Sequence, residues 1–241
     1  RTALAVAAVR GVPVKVRAIR AGRRTPGLQA QHLTAVAALA EICGGRVEGC
    51  RLGAERLRFW PGEPRPGEYR FDIGTAGATS LVLQAILPAL AVAAGPSRVR
   101  LIGGTHVPWS PLADYLRAVL LPILERMGLP LTLAVPACGF HPRGGGEIVV
   151  DVPAPAALRP VTRLRGACPV RLRGVSTVAN LPATIAERQA ERARRRLAAA
   201  GFPAEIEVRQ VAAPDPGSFL LLTAESDGPL GGFSALGRRG V

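Results

Sequence analysis

The chain has 241 residues, 48% of them hydrophobic, enough for a sizeable core in one large domain or two smaller ones. It carries 31 basic against 17 acidic residues, and a net charge of +14 attracts polyanions. Aromatic residues make up 4% of the chain, which argues against an extended base-stacking platform.

The basic residues are almost all arginine, with Lys15 the only lysine. A GC-rich genome accounts for arginine over lysine but not for the excess of positive charge. The longest apolar run, Leu81–Ala94, is broken by Gln84 and Pro88 and is too short to span a bilayer. No basic segment followed by an apolar leader opens the chain, so the expectation is a cytoplasmic protein with no membrane partner. Cys43, Cys50, Cys138 and Cys168 form no C-x-x-C pair, and no histidine stands at zinc-finger spacing from them. They read as ordinary thiols of a reducing compartment.

In chain order, Arg1–Val9 is apolar-periodic and reads as a helix stopped near Gly11, followed by a strand at Val12–Ile19. A loop runs from Arg20 to Leu28. Thr25 is its candidate N-cap and Pro26 the first position of a helix to about Cys43, stopped by Gly44-Gly45. Strands are predicted at Arg46–Glu48, Arg56–Phe59 and Tyr69–Ile73. A second helix opens within Gly74–Thr79 and runs to about Ala94. A strand at Val99–Ile102 then leads through a Gly/Pro loop into a helix over Leu112–Met127. The turn Cys138–Glu147 precedes a strand at Ile148–Val152. Beyond Pro160 the spacing predicts a strand pair over Gly166–Thr177 and a helix over Leu181–Ala200. Strands follow at Glu205–Val211 and Ser218–Glu225, with no clear closing element.

An internal repeat links these elements. Val16-Arg-Ala-Ile19 and Val99-Arg-Leu-Ile102 stand 83 residues apart (102 less 19), and each leads through a proline-containing loop into a helix with a glycine stop. At the same spacing Leu33 matches Leu116, Val36 matches Val119 and Gly45 matches Gly128. The fold class is therefore α/β (α+β), built from repeated βαβ-type units.

Chemistry-bearing residues gather at the junctions. All three histidines, His32, His106 and His141, lie at loop-to-helix or loop-to-strand transitions. Arg20 and Arg23 flank a glycine where a strand ends facing a helix N-terminus, and Gln31 and His32 follow within that helix. Guanidinium forks beside free helix N–H groups suit a phosphate. Gly74-Thr-Ala-Gly-Ala-Thr-Ser80 is a second candidate anion cradle, although it lacks the Gly-Lys-Ser/Thr of a P-loop. Gly144-Gly-Gly146 permits a bulge or close packing.

Together these segments resemble the RNA 3′-terminal phosphate cyclase family. The resemblance rests on Ile19-Arg-Ala-Gly-Arg-Arg-Thr-Pro-Gly-Leu28, Gln31-His-Leu-Thr34, Gly74-Thr-Ala-Gly77 with Leu81-Val-Leu-Gln84, and Leu87-Pro-Ala-Leu90. It continues through Gly103-Gly-Thr105, Ser110-Pro111 with Asp114-Tyr-Leu116, and Gly139-Phe-His-Pro-Arg-Gly-Gly-Gly146, in family order from Arg1 to about Val152. The remainder matches more loosely, with Ala186-Glu-Arg188 its best anchor.

The resemblance implies a large domain of repeated α/β units over residues 1–163 and a smaller inserted α/β domain over 164–241, its C-terminal end incomplete. It implies ATP and a divalent metal (Mg or Mn) as cofactors and an RNA with a 3′-terminal phosphate as substrate. A histidine would take AMP from ATP and pass it to the 3′-phosphate, and the neighbouring 2′-hydroxyl would displace it, leaving a 2′,3′-cyclic phosphate. By position, Arg1, Arg20, Arg23, Gln31 and His32 match the RNA- and phosphate-binding residues, while Gln84 and Pro111 match the lining of the ATP pocket. The family's Glu-Gly-Gly-Gly-Gln stretch would precede Arg1, and its nucleophilic histidine would follow Val241. None of His32, His106 and His141 matches that histidine, so the expectation is a catalytic-type member in fragment form, itself inactive. His106 stands where an acidic residue is common. Two other readings share some of these features: a non-catalytic cyclase-like RNA-binding or ribosome-assembly factor, and an enolpyruvyl-transferase-like enzyme.

Overall fold

A computed structural model describes residues 1–155, 157–161, 171–226 and 228–238. Mixed helices and strands form three sheets, in agreement with the α/β expectation. The first unit runs α1 (Thr2–Arg10), β1 (Val14–Val16), α2 (Ala30–Ile42), β2 (Arg46–Glu48) and β3 (Leu57–Trp60). The second runs β4 (Glu68–Asp72), α3 (Thr79–Leu90), β5 (Ser97–Gly103), α4 (Ala113–Tyr115), a π turn (Leu116–Leu120), α5 (Leu121–Arg126), β6 (Thr132–Ala137) and β7 (Gly146–Val152). The third runs β8 (Arg171–Ala179), α6 (Ala183–Ala199), β9 (Ala204–Val211), β10 (Gly217–Ser226) and β11 (Gly228–Leu236).

The 83-residue repeat is visible in the sheets. Order β1-β3-β2 in the first unit is reproduced as β5-β7-β6 in the second, with β4 added parallel to β5. Helices α2 and α4 open at Ala30 and Ala113, 83 residues apart (113 less 30). The third unit orders its strands β11-β10-β8-β9, with β8 and β9 parallel around α6, as β4 and β5 are around α3.

Several expectations are corrected. Thr25 and Pro26 do not open α2. Gln29 is the N-cap, because the side chain of His32 closes the helix start from within. Helix α3 stops at Leu90 rather than near Ala94, and β1 covers only Val14–Val16 of the expected strand. The single helix expected over Leu112–Met127 widens into a π turn before Pro122. Proline has no N–H for the carbonyl one turn back and crowds it, which a wider turn relieves. Strands β6 and β11 were not expected. Of the predicted strand pair over Gly166–Thr177, residues 162–170 lie outside the described residues, and one strand occupies the rest.

One core lies between α1, α2, α3 and the first two sheets, where Leu39, Ile42, Phe59 and Ile86 are fully buried. A second joins the third unit to the second: Phe140 and Leu112 pack with Phe219, Leu221, Val175 and Ala179. Arg143 fastens this junction by donating its backbone N–H and its Nε to Asp215, each at 2.8 Å. Those bonds and the charge of Arg143 hold the Asp215 carboxyl below the usual range although burial pushes the other way.

Candidate functional site

The loop before α2 is organised by Arg20, whose backbone is left-handed at φ 56. Its guanidinium donates to the carbonyl oxygens of Thr25 at 2.5 Å and Gly27 at 3.1 Å. This places a cation against the start of α2 and fixes the loop around it. There the Gln29 N–H donates to Nδ1 of His32 at 3.1 Å, while the His32 N–H donates to the Gln29 carbonyl. Because Nδ1 accepts, the neutral ring carries its proton on Nε2. Burial, then the charges of Arg20 and Arg1, push the His32 pKa below its ordinary value. Arg1 and His32 line one cavity of about 90 Å³, otherwise walled by apolar side chains such as Leu4, Leu28 and Val36.

The sequence-selected residues therefore divide. Arg1, Arg20 and His32 come together. Arg23 is exposed in the turn closed by its own N–H to the Arg20 carbonyl, and it has no ion-pair partner among the described residues. Gln31 faces elsewhere: its Oε1 accepts from the Ala78 N–H at 2.9 Å, tying α2 to the start of α3. It lines a second cavity, of about 430 Å³, with Leu81, Pro108, Trp109 and His141. Gln84 is exposed on α3, one turn beyond Leu81 and beside Ala85, which lines the Arg1 cavity. Pro111 is exposed in the loop before α4, next to Ser110. Gln84 and Pro111 thus flank these cavities without lining them.

In the segment Gly74–Ser80 four of the N–H groups that could cradle an anion are already taken: Gly74 by Asp72, Gly77 by Thr75 Oγ1, Ala78 by Gln31 and Thr79 by the Gly104 carbonyl. Gly146 serves close packing, since a Cβ on facing Gly139 would stand 2.4 Å from the Gly146 nitrogen.

Sequence reasoning missed a buried relay. His106 is fully buried, stacked on Phe219 with ring centroids 4.5 Å apart. Thr105 Oγ1 accepts from the Gly139 N–H and lies 2.8 Å from His106 Nδ1; His106 Nε2 lies 2.8 Å from Asp114 Oδ2. The consistent proton placement is Thr105 donating to Nδ1 and Nε2–H donating to Asp114. Asp114 also meets Arg117 at 2.5 Å and Arg209 of β9 at 3.8 Å. Burial would raise its pKa, but the His106 hydrogen bond and these cations outweigh burial and hold it low. Both ring nitrogens are engaged and the ring is fully buried, so His106 ties its loop to α4. The signal lay in Asp114, which stands eight residues on and was read only as part of a motif.

Between the second and third units runs a groove of about 530 Å³. Trp109, Ser110 and His141 line one side and Ser218, Ser234 and Arg238 the other. Trp109 is 94% exposed. Among the described residues no three or more His, Cys, Asp or Glu side chains gather to hold a metal ion. Cys43, Cys50 and Cys138 are free thiols, and Cys168 lies outside the described residues. No described helix is long and apolar enough to cross a membrane.

Comparison with known proteins agrees with the resemblance. A family model described as RNA 3′-terminal phosphate cyclase matches residues 1–229. A protein of that name from Methylococcus capsulatus is 49% identical over 251 residues, covering 100% of this chain and 69% of its own length. One from Pyrobaculum neutrophilum is 44% identical, covering 100% of this chain and 70% of its own. One from Thermococcus kodakarensis is 41% identical with the same coverages, 100% and 70%.

Proposed function

The chain belongs to the RNA 3′-terminal phosphate cyclase family, and on that premise we propose that Arg1, Arg20, Arg23 and His32 receive the 3′-phosphate of an RNA strand at the start of α2. The observation that supports this best is the meeting of Arg1 and His32 in one cavity beside the loop that Arg20 organises. Three guanidinium groups and an Nε2–H donor offer charge-assisted hydrogen bonds to a dianion, and the N-terminus of α2 adds its dipole.

ATP is the co-substrate. We place ATP on the side of Gln84 and Pro111, the two positions that match the family's ATP pocket, exposed on α3 and in the loop before α4. Transfer of AMP to the 3′-phosphate, with loss of pyrophosphate from ATP, gives the phosphate a leaving group. The adjacent 2′-hydroxyl then attacks, its proton goes to solvent or a base, and AMP departs. Here the chain's cations offset the mutual repulsion of two polyanions as they approach. His106 is set aside as a nucleophile by burial, and His32 because its Nδ1 lone pair is occupied by the cap. Residues 1–163 are taken as the unit bearing this site and 164–241 as a smaller inserted unit. The free thiols fit a cytoplasmic setting.

The test is turnover by the full-length protein. An RNA 3′-end labelled at its terminal phosphate should become resistant to phosphatase in the presence of ATP. An end that stays phosphatase-sensitive with ATP, or becomes resistant with phosphoenolpyruvate and no ATP, would overturn the reading.

A further inference from the structure

We propose that α6 carries a binding track for the phosphodiester backbone of the RNA strand upstream of its 3′ end. This rests on the family reading for the nature of the strand. Arg188, Arg192 and Arg196 are exposed and recur every fourth residue, so they form one stripe with steps of about 6 Å along the helix. That spacing is comparable to the distance between neighbouring phosphates of an extended strand. The stripe lines a groove of about 550 Å³ between α6 and β10, completed by Gln189, Ser218 and Arg238, and among the described residues no acidic side chain lines it. Glu191, on the same helix, is spent off the groove on Arg194 and Arg195. The three stripe arginines have no ion-pair partner among the described residues. Like charges four residues apart weaken a helix. A polyanion laid along the stripe reverses that repulsion into attraction.

Continuity supports the same occupant. Ser218, Gly237 and Arg238 line both this groove and the 530 Å³ groove between the units. That groove in turn shares Val107, Pro108, Trp109 and His141 with the cavity lined by Gln31. The grooves therefore run on from α6 to the cavity lined by Gln31 of α2, and the exposed Trp109 offers a stacking face along them. A groove lined by arginine, glutamine and serine suits a phosphodiester strand better than the flat surface of a lipid bilayer.

The test compares the full-length protein with its Arg188→Gln/Arg192→Gln/Arg196→Gln variant across a salt series. The ligands are a 3′-phosphorylated dinucleotide and a 3′-phosphorylated RNA of about 12 nucleotides. The variant should bind the dinucleotide as before and lose roughly tenfold or more for the longer RNA, with its salt slope reduced by about 2 for three lost phosphate contacts. The triple Arg→Lys variant should keep most of the slope. Arg195→Gln, off the stripe, should show no length-dependent loss. Equal loss for both ligands, or no loss for the longer one, would overturn the track. So would loss of binding to phosphatidylserine vesicles with RNA binding intact. Failure of the end-site reading shows separately, as a wild-type protein that binds dinucleotides with and without the 3′-phosphate alike.

Discussion

Asp114 holds His106 across a loop, with its Oδ2 2.8 Å from His106 Nε2, while its other oxygen meets Arg117. The pair joins α4 to the loop that lines the central groove. Asp114→Ala leaves a buried N–H without an acceptor, a loss of about 1–3 kcal/mol. Asp114→Asn keeps an acceptor and should cost less. Chemical denaturation of both variants decides the matter: equal losses would show that packing, not the hydrogen bond, holds His106.

His32 should make stability sensitive to acid. Its folded pKa lies below the ordinary histidine value, so below about pH 6.5 the unfolded chain takes up a proton more readily than the folded one. The stability it contributes is present above that value. It declines as pH falls toward the lowered folded value, where the cap from Gln29 to Nδ1 is also lost. His32→Asn should flatten this part of the pH–stability curve. Arg20→Ala should raise the His32 pKa by removing one of the charges that depress it, readable as the chemical shift of the ring protons. An unchanged His32 titration in Arg20→Ala would mean that burial and the charges at Arg1 set it without Arg20.

Helix α1 with its Gly11 stop and strand β2 could be read directly, because apolar spacing and a left-handed glycine are local signals. The repeat gave the succession of strand, loop and helix shared by the first two units, and their sheets also share a strand order. It also held the true start of α2: Ala113 opens the later copy, and the matching position is Ala30, not Pro26. Strand β11 was illegible because its sequence is glycine-rich and interrupted by proline. It exists because the free edge of β10 pairs with it, from Phe219 opposite Leu236 onward. At the site, Arg20 and His32 were legible as types at junctions, and Arg1 through the family resemblance. The surroundings of His106 were not, since Phe219 reaches it, and Arg209 reaches its partner Asp114, from a distant part of the chain.

The thiols should separate cleanly in labelling. Burial pushes Cys43 and Cys138 up to about 11 each, and both are shielded from reagent. Cys50 is exposed. Native alkylation near pH 8, followed by peptide mapping, should modify Cys50 well before Cys43 or Cys138. The latter two should react only after denaturant is added. Early labelling of Cys138 would show that the core shared by the second and third units opens readily.

The sharpest assay of the end site is Arg23. Arg20 is already committed through its guanidinium to the Thr25 and Gly27 carbonyls, so its replacement disturbs the loop as well as any bound anion. Arg23 is exposed on the same loop and makes no such bonds among the described residues, so Arg23→Ala should leave stability within about 0.5 kcal/mol. In the full-length protein it should weaken binding of a 3′-phosphorylated RNA by about 1.5–3 kcal/mol, the worth of a lost hydrogen bond to a charged group. The same RNA ending in a hydroxyl should lose much less. The difference must also shrink when the 3′-phosphate is brought to its monoanion at lower pH, because half of the charge that Arg23 meets is then gone. Equal weakening of both RNAs would place Arg23 on the general basic surface and leave Arg1 and His32 as the groups that recognise the end.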